Sequence, residues 1–126
     1  MVYGIGIDLV ETDRMAKIVG RWGAKFLERV FSAKEVEYCT RHADVAIHYA
    51  ARFAAKEALL KALGIGLGMG ARLKEIEVVR NNMGKPDIVL SGGARAHAEK
   101  QKIVRIHLSL THTKKYATAF VVLEEK

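Results

Sequence analysis

Residues 52–63, running from Arg52 to Leu63, most limit what this 126-residue chain can become. Ala and Leu dominate the segment and it stops at Gly64, so it reads as a strong helix. Apolar residues occur all round it, so most of its circumference must be buried, at the centre of the fold. Arg52, Lys56, Glu57 and Lys61 nevertheless lie within it. Charges on a buried helix are costly unless they are paired or put to use. At about 100° per residue, Glu57 and Lys61 share one stripe and Arg52 and Lys56 another. A glycine-rich run from Gly64 to Gly70 follows. One acid and several bases beside such a loop point to a site for a phosphate-bearing ligand and a metal.

The length implies one domain, residues 1–126, able to bury a real core but not a deep enclosed cavity. A site between subunits would lift that limit. No run is long enough to span a membrane, and the N-terminus lacks a signal pattern. Cys39 is the lone cysteine, so no internal disulfide can form, which fits a reducing cytoplasm. The net charge of +7 favours an anionic partner: nucleic acid, an acidic protein or a phosphorylated small molecule.

Along the chain, Val2 to Val10 reads as a strand whose Gly4 and Gly6 let another backbone come close. Thr12 or Asp13 can cap the next helix, with Met15, Val19, Trp22 and Phe26 as its apolar stripe. Arg14, Ile18, Arg21, Lys25 and Arg29 form a second stripe beside it, and Gly20 and Gly23 weaken or break the helix. Ser32 and Glu35 spell a capping box. The long helix covers about 46–63. Ile76 and Val78 alternate with acids in a strand, residues 81–86 make a turn, and 87–90 return as a hairpin partner. A helix is expected over 92–102, then alternating strands over 104–111 and 117–123. Hairpins mixed with helices, without regular βαβ repetition, indicate α+β.

Each candidate residue has a plain reading beside a chemical one. Asp8 is a strand-end aspartate or a metal ligand. Glu57 is half of an i,i+4 ion pair with Lys61, or the second ligand. The glycines after Leu63 are a helix cap and loop, or amides for phosphate oxygens. Their order, glycines after a helix, excludes a P-loop or Rossmann fingerprint. Ser109, Thr111 and His112 near a strand end are solvated or contact phosphate. The stripe from Arg14 to Arg29 is a solvated face or a clamp for an acidic helix. His42, His48, His97 and His107 show no metal-ligand grouping. Cys39 reads as a small buried hydrophobe.

With these residues in view, the chain resembles the bacterial holo-acyl-carrier-protein synthases of the phosphopantetheinyl transferase superfamily. Gly4-Ile5-Gly6-Ile7-Asp8-Leu9-Val10-Glu11 and residues 52–62 carry the likeness. Gly84-Lys85-Pro86, residues 108–113 and Tyr116-Ala117 follow in the family's order. The resemblance implies that fold: an antiparallel sheet packed with a long central helix, with sites at the subunit interfaces of a trimer. It implies transfer of 4'-phosphopantetheine from coenzyme A to a serine of apo-acyl carrier protein, giving adenosine 3',5'-bisphosphate, in fatty acid biosynthesis.

By resemblance, Asp8 and Glu57 are Mg²⁺ ligands and Lys61 faces phosphate; these three form the catalytic set. Arg52, Lys61, Gly64, Gly66, Ser109, Thr111 and His112 match regions that contact coenzyme A. Arg14, Ile18, Arg21, Lys25 and Arg29 match the helix that receives the acidic carrier protein. The proton of the attacking serine is left to Glu57, Glu35 or a metal-bound water. Thr111 stands where a serine is also common. Two other classes compete: a basic nucleic-acid-binding module without catalysis, and a non-catalytic structural subunit. The strands show few of the interleaved aromatic and basic residues that the first needs, and the second has no use for Asp8 and Glu57 in apolar settings. The partners that the resemblance implies are coenzyme A and carrier protein, as a homotrimer, and not nucleic acid or membrane.

Overall fold

The structure is a computed structural model that describes residues 1–66 and 68–126; Leu67 of the glycine run lies outside them. The order is β1 (Val2–Glu11), α1 (Thr12–Trp22), α2 (Ala24–Val30), α3 (Ala33–Thr40) and α4 (Val45–Leu63). A single 3-10 turn (Leu73–Glu75) then leads to β2 (Ile76–Arg80), β3 (Pro86–Leu90), α5 (Gly92–Lys100), β4 (Ile103–His112) and β5 (Tyr116–Glu125). β1, β5 and β4 form an antiparallel sheet in that order, and β2 and β3 form a separate hairpin.

α4 is the pillar of the fold. Asp44 caps its start by accepting from the Ile47 amide at 3.3 Å, and Gly64 ends it in the left-handed region at φ 75°. Thirteen of its 19 residues are buried, as an apolar circumference requires. It lies across the inner face of the three-stranded sheet. There Gly4 and Gly6 of β1 meet the Ala62 and Ala58 carbonyls so closely that a Cβ at either glycine would collide with them. Ala117, Ala119, Val121 and Leu123 of β5 and Leu108 of β4 complete that buried face.

Strand alternation sends Ile5, Ile7 and Leu9 to the outer face, where each stays about 60% exposed beside Phe120. Ser109 and Thr111 lie on this same outer face, paired in register with Phe120 and Thr118. The sheet therefore has two apolar sides but only one is covered within the chain.

The Ser32–Glu35 capping box forms as expected. Three local expectations change. α1 starts without a side-chain cap; instead the Thr12 amide donates to the Lys115 carbonyl at 2.8 Å, a tertiary contact. Trp22 is 56% exposed rather than packed, because α1 ends there and α2 restarts at Ala24 with a new phase. Phe26 still packs, against Phe31 and Phe53. α5 stops at Lys100, short of residue 102, where Lys102 adopts φ 59°.

Candidate active site

The inner-face position of Asp8 near the end of β1 aims its carboxylate at α4. Lys61 Nζ lies 3.0 Å from Asp8 Oδ1 and 3.0 Å from the Ile7 carbonyl. Lys61 thus pairs across to the strand, not along its helix to Glu57. Thr118 Oγ1 donates to the Asp8 carbonyl at 2.7 Å and fixes the strand beside it. Glu57 completes the group from one turn earlier on α4. Burial, and then the facing Asp8 carboxylate, push its pKa above the ordinary range, while Lys61 draws it back. Asp8, Glu57 and Lys61 are therefore one electrostatic unit.

A cavity of about 280 Å³ adjoins this unit. Asp8 and Glu57 line it together with Phe53 of α4 and Arg14 and Ile18 of α1. Arg14, Arg21, Lys25 and Arg29 are exposed and Ile18 is half-buried. The basic stripe is real but is shared between α1 and α2. Trp22 ends α1 with the Arg21 guanidinium 5.3 Å from its ring.

Lys56, one residue before Glu57, has a different fate. It is fully buried, with Nζ 2.8 Å from Glu35 Oε1 and 3.0 Å from the Leu73 carbonyl, and it also donates to the Ile76 carbonyl. Glu35 accepts in turn from the Ser32 and Val78 amides. This clasp ties α3, α4 and β2 together. It also removes Glu35 from the candidates for the serine's proton acceptor, because a carboxylate fully buried against an ammonium cannot reach substrate.

A second cluster forms from four elements and a loop. The Arg52 guanidinium stacks 3.9 Å from the Tyr38 ring, and Arg80 Nε donates to Tyr38 Oη at 2.7 Å. His42 and His48 stack at 3.9 Å, and His112 meets His48 edge-on at 6.2 Å. Burial, then His42, Arg52, His112 and Arg80, push His48 below its usual pKa. Arg52 is almost fully buried and its Nε has no partner among the described residues. Such a cationic nest calls for an anion.

The glycine run leaves α4 one turn beyond Lys61. Its far end is held by Glu75, which accepts from the Arg72, Gly93 and Ala94 amides at 2.9, 3.1 and 3.3 Å. Burial pushes Glu75 up, but those three amides and Arg72 outweigh it and hold the carboxyl below its usual range.

Of the residues singled out in the sequence, Asp8, Glu57 and Lys61 converge. Arg52 and His112 belong to the second cluster. Gly64 and Gly66 lie at the end of α4, and Ser109 and Thr111 face the opposite side of the sheet. Cys39 is buried, with its thiol pushed up to about 11 by burial, so it is inert. Tyr38, His48 and Arg80 were missed because nothing in their spacing joins three separate elements. Among the described residues no third metal-ligating side chain joins Asp8 and Glu57. Two carboxylates fit Mg²⁺, which fills its other positions with phosphate oxygens and water, and do not make a closed structural centre.

Known proteins resemble this chain in sequence and in fold. The family model of the 4'-phosphopantetheinyl transferase superfamily matches residues 4–121. A holo-[acyl-carrier-protein] synthase of Syntrophus aciditrophicus is 52% identical over 124 residues, 98% of this chain and 97% of that protein. The crystal structure of holo-[acyl-carrier-protein] synthase from Neisseria meningitidis superposes with a TM-score of 0.91 at 31% identity, covering 99% of this chain and 100% of that one. A holo-(acyl-carrier-protein) synthase from Bacillus anthracis in complex with CoA (3',5'-ADP) gives 0.82 at 35% identity, covering 100% and 99%. Matched over nearly its whole length in sequence and in fold, this chain belongs to the 4'-phosphopantetheinyl transferase superfamily.

Proposed function

We propose that this domain transfers 4'-phosphopantetheine from coenzyme A to a serine of apo-acyl carrier protein, releasing adenosine 3',5'-bisphosphate, and so serves fatty acid biosynthesis in the cytoplasm. One observation carries the reading: Asp8, which Lys61 pairs with, and Glu57 line the same cavity as Arg14 and Ile18 of the basic stripe. An acidic protein docked on Arg14, Ile18, Arg21, Lys25 and Arg29 delivers its serine next to the carboxylate pair.

The serine hydroxyl attacks the phosphorus that bears the pantetheine arm. The P–O bond to the adenosine half breaks, and the serine proton is lost. Mg²⁺ held by Asp8 and Glu57 would neutralise charge on the pyrophosphate. Lys61 adds a positive charge where the leaving phosphate develops its own. The glycine run offers amides to the pyrophosphate. Arg52 and His112, with Arg80 and His48, receive a further phosphate of the nucleotide. With Glu35 held by Lys56, Glu57 is the remaining carboxylate of the sequence candidates for taking the proton.

The uncovered outer face supports a homotrimer. Ile5, Ile7, Leu9 and Phe120 form an exposed apolar sheet surface that a second copy would bury. Ser109 and Thr111 on that face would then serve a neighbouring subunit's site, which accounts for their distance from Asp8 within one chain. The test is direct: incubation with coenzyme A, Mg²⁺ and an apo carrier protein should add the mass of the phosphopantetheine arm to its serine. An unchanged carrier protein overturns the reading.

A further inference from the structure

Lys61 stands on the carboxylate that the metal needs. Its ammonium lies 3.0 Å from Asp8 Oδ1, and the Ile7 carbonyl at 3.0 Å steadies it there. The Asp8 side chain is 17% exposed while that of Lys61 is 54% exposed, so the lysine reaches inward from solvent and has room to leave. The neighbouring ammonium on α4 has no such freedom, because Lys56 is fully buried on Glu35 and two carbonyls. Lys61 sits in the last turn of α4, three residues before Gly64, on a flexible stem. An anion at the start of the loop would compete with Asp8 for this ammonium.

We propose that Lys61 is the resident counter-ion of the metal site, neutralising Asp8 in the free protein and surrendering it only when the coenzyme A pyrophosphate draws the ammonium away. This rests on the reading that Asp8 and Glu57 hold the divalent cation. A charge-assisted hydrogen bond occupies one Asp8 oxygen and places a positive charge where a second must enter. The free protein therefore binds the cation weakly, and coenzyme A restores the full charge of the carboxylate pair as it binds. By linkage, the cation must strengthen coenzyme A binding by the same factor. The bridge also solves a problem of the metal-free state, in which two facing carboxylates would otherwise repel across a half-buried gap.

The test is Mn²⁺ titration of the coenzyme-free protein, read by electron paramagnetic resonance and by calorimetry, in wild type, Lys61→Met, Lys61→Arg and Asp8→Asn. Thermal unfolding checks that each variant is folded, and Lys61→Gln replaces Lys61→Met if that variant is not. Removing the positive charge should tighten Mn²⁺ binding about tenfold, within the 5- to 150-fold range usual for coupled sites. Lys61→Arg keeps the charge and should stay near wild type. This tightening through loss of a catalytic side chain is opposite to what a merely structural role would give. Unchanged or weaker Mn²⁺ binding in Lys61→Met, with binding lost in Asp8→Asn, refutes the counter-ion role alone. Unchanged binding in Asp8→Asn refutes the metal site and the proposal together.

Discussion

Replacing Lys56 with Met should be among the most damaging single changes in this protein, although it touches no substrate. The side chain is 0% exposed and closes a circuit: Glu35 at 2.8 Å, the Leu73 carbonyl at 3.0 Å and the Ile76 carbonyl. Met fills a similar volume but donates nothing. It leaves a buried carboxylate with only the Ser32 and Val78 amides and takes the ammonium from the Ile76 carbonyl, while the Leu73 carbonyl keeps the Ile76 amide. Removing one partner of a buried ion pair costs about 3–5 kcal/mol, a large share of the roughly 5–15 kcal/mol that holds a domain together. At about 4 °C per kcal/mol for a chain of this size, the melting temperature should fall by roughly 12–20 °C. Urea unfolding followed by circular dichroism, at fixed protein concentration because assembly adds apparent stability, gives the free energy. Lys56→Met/Glu35→Gln should recover part of the loss, since it removes the unpaired buried charge, although the single amide oxygen can accept from only one of the Ser32 and Val78 amides. A Lys56→Met loss under about 1 kcal/mol would refute the clasp.

Chelating divalent metal should abolish transfer and Mg²⁺ restore it, and Asp8→Ala or Glu57→Ala should cost about a hundredfold or more in turnover with the melting temperature near wild type, since one carboxylate holds Mg²⁺ poorly; full activity in chelator would end that reading. Sedimentation velocity should find a trimer, and Ile7→Asp, a charge on the exposed sheet face, should dissociate it; an active wild-type monomer contradicts the assembly. Arg14→Glu/Arg21→Glu should raise the KM for carrier protein, and less so as salt rises past about 0.15 M, where screening reaches roughly 8 Å; the KM for coenzyme A is the control, and Ile18→Ala should weaken docking at every salt concentration. Glu75, held below its unfolded pKa, contributes stability that is present above about pH 4.3 and lost as pH falls through its folded value. Glu75→Gln should therefore flatten the acid limb of a stability–pH profile, and an unchanged limb would remove Glu75 from the account of the loop.

The parts of this fold that were legible in the sequence are those governed by local chemistry. The all-round apolar character of residues 52–63 marks α4, the Ser32–Glu35 spacing marks the start of α3, and alternation over 104–111 marks β4. Asp8, Glu57 and Lys61 drew attention because each is charged within an apolar setting. The rest depends on long-range placement. Lys56 and Glu35 are 21 positions apart; the buried helix shows that Lys56 needs a partner, but nothing local says that the capping-box Glu35 is that partner. Tyr38, Arg80 and His48 gain meaning only when α3, β2 and α4 meet. Trp22 was misplaced because a helical stripe assumes an unbroken phase, and the restart at Ala24 voids that assumption. Ile5, Ile7 and Leu9 look like one half of a core strand and prove to be an uncovered face.

The contact of Gly4 and Gly6 with Ala62 and Ala58 has a bearing on how this enzyme tolerates change. Asp8 lies two residues beyond Gly6, and Glu57 and Lys61 bracket Ala58, so backbone resting on backbone acts as a gauge for the gap between the carboxylates. Side-chain cores drift as their volumes are exchanged, but this spacing has no side chain to vary. The interior can therefore be rewritten with the site's dimensions preserved, whereas one methyl group at Gly6 would wedge strand from helix and reset the distance that the chemistry depends on.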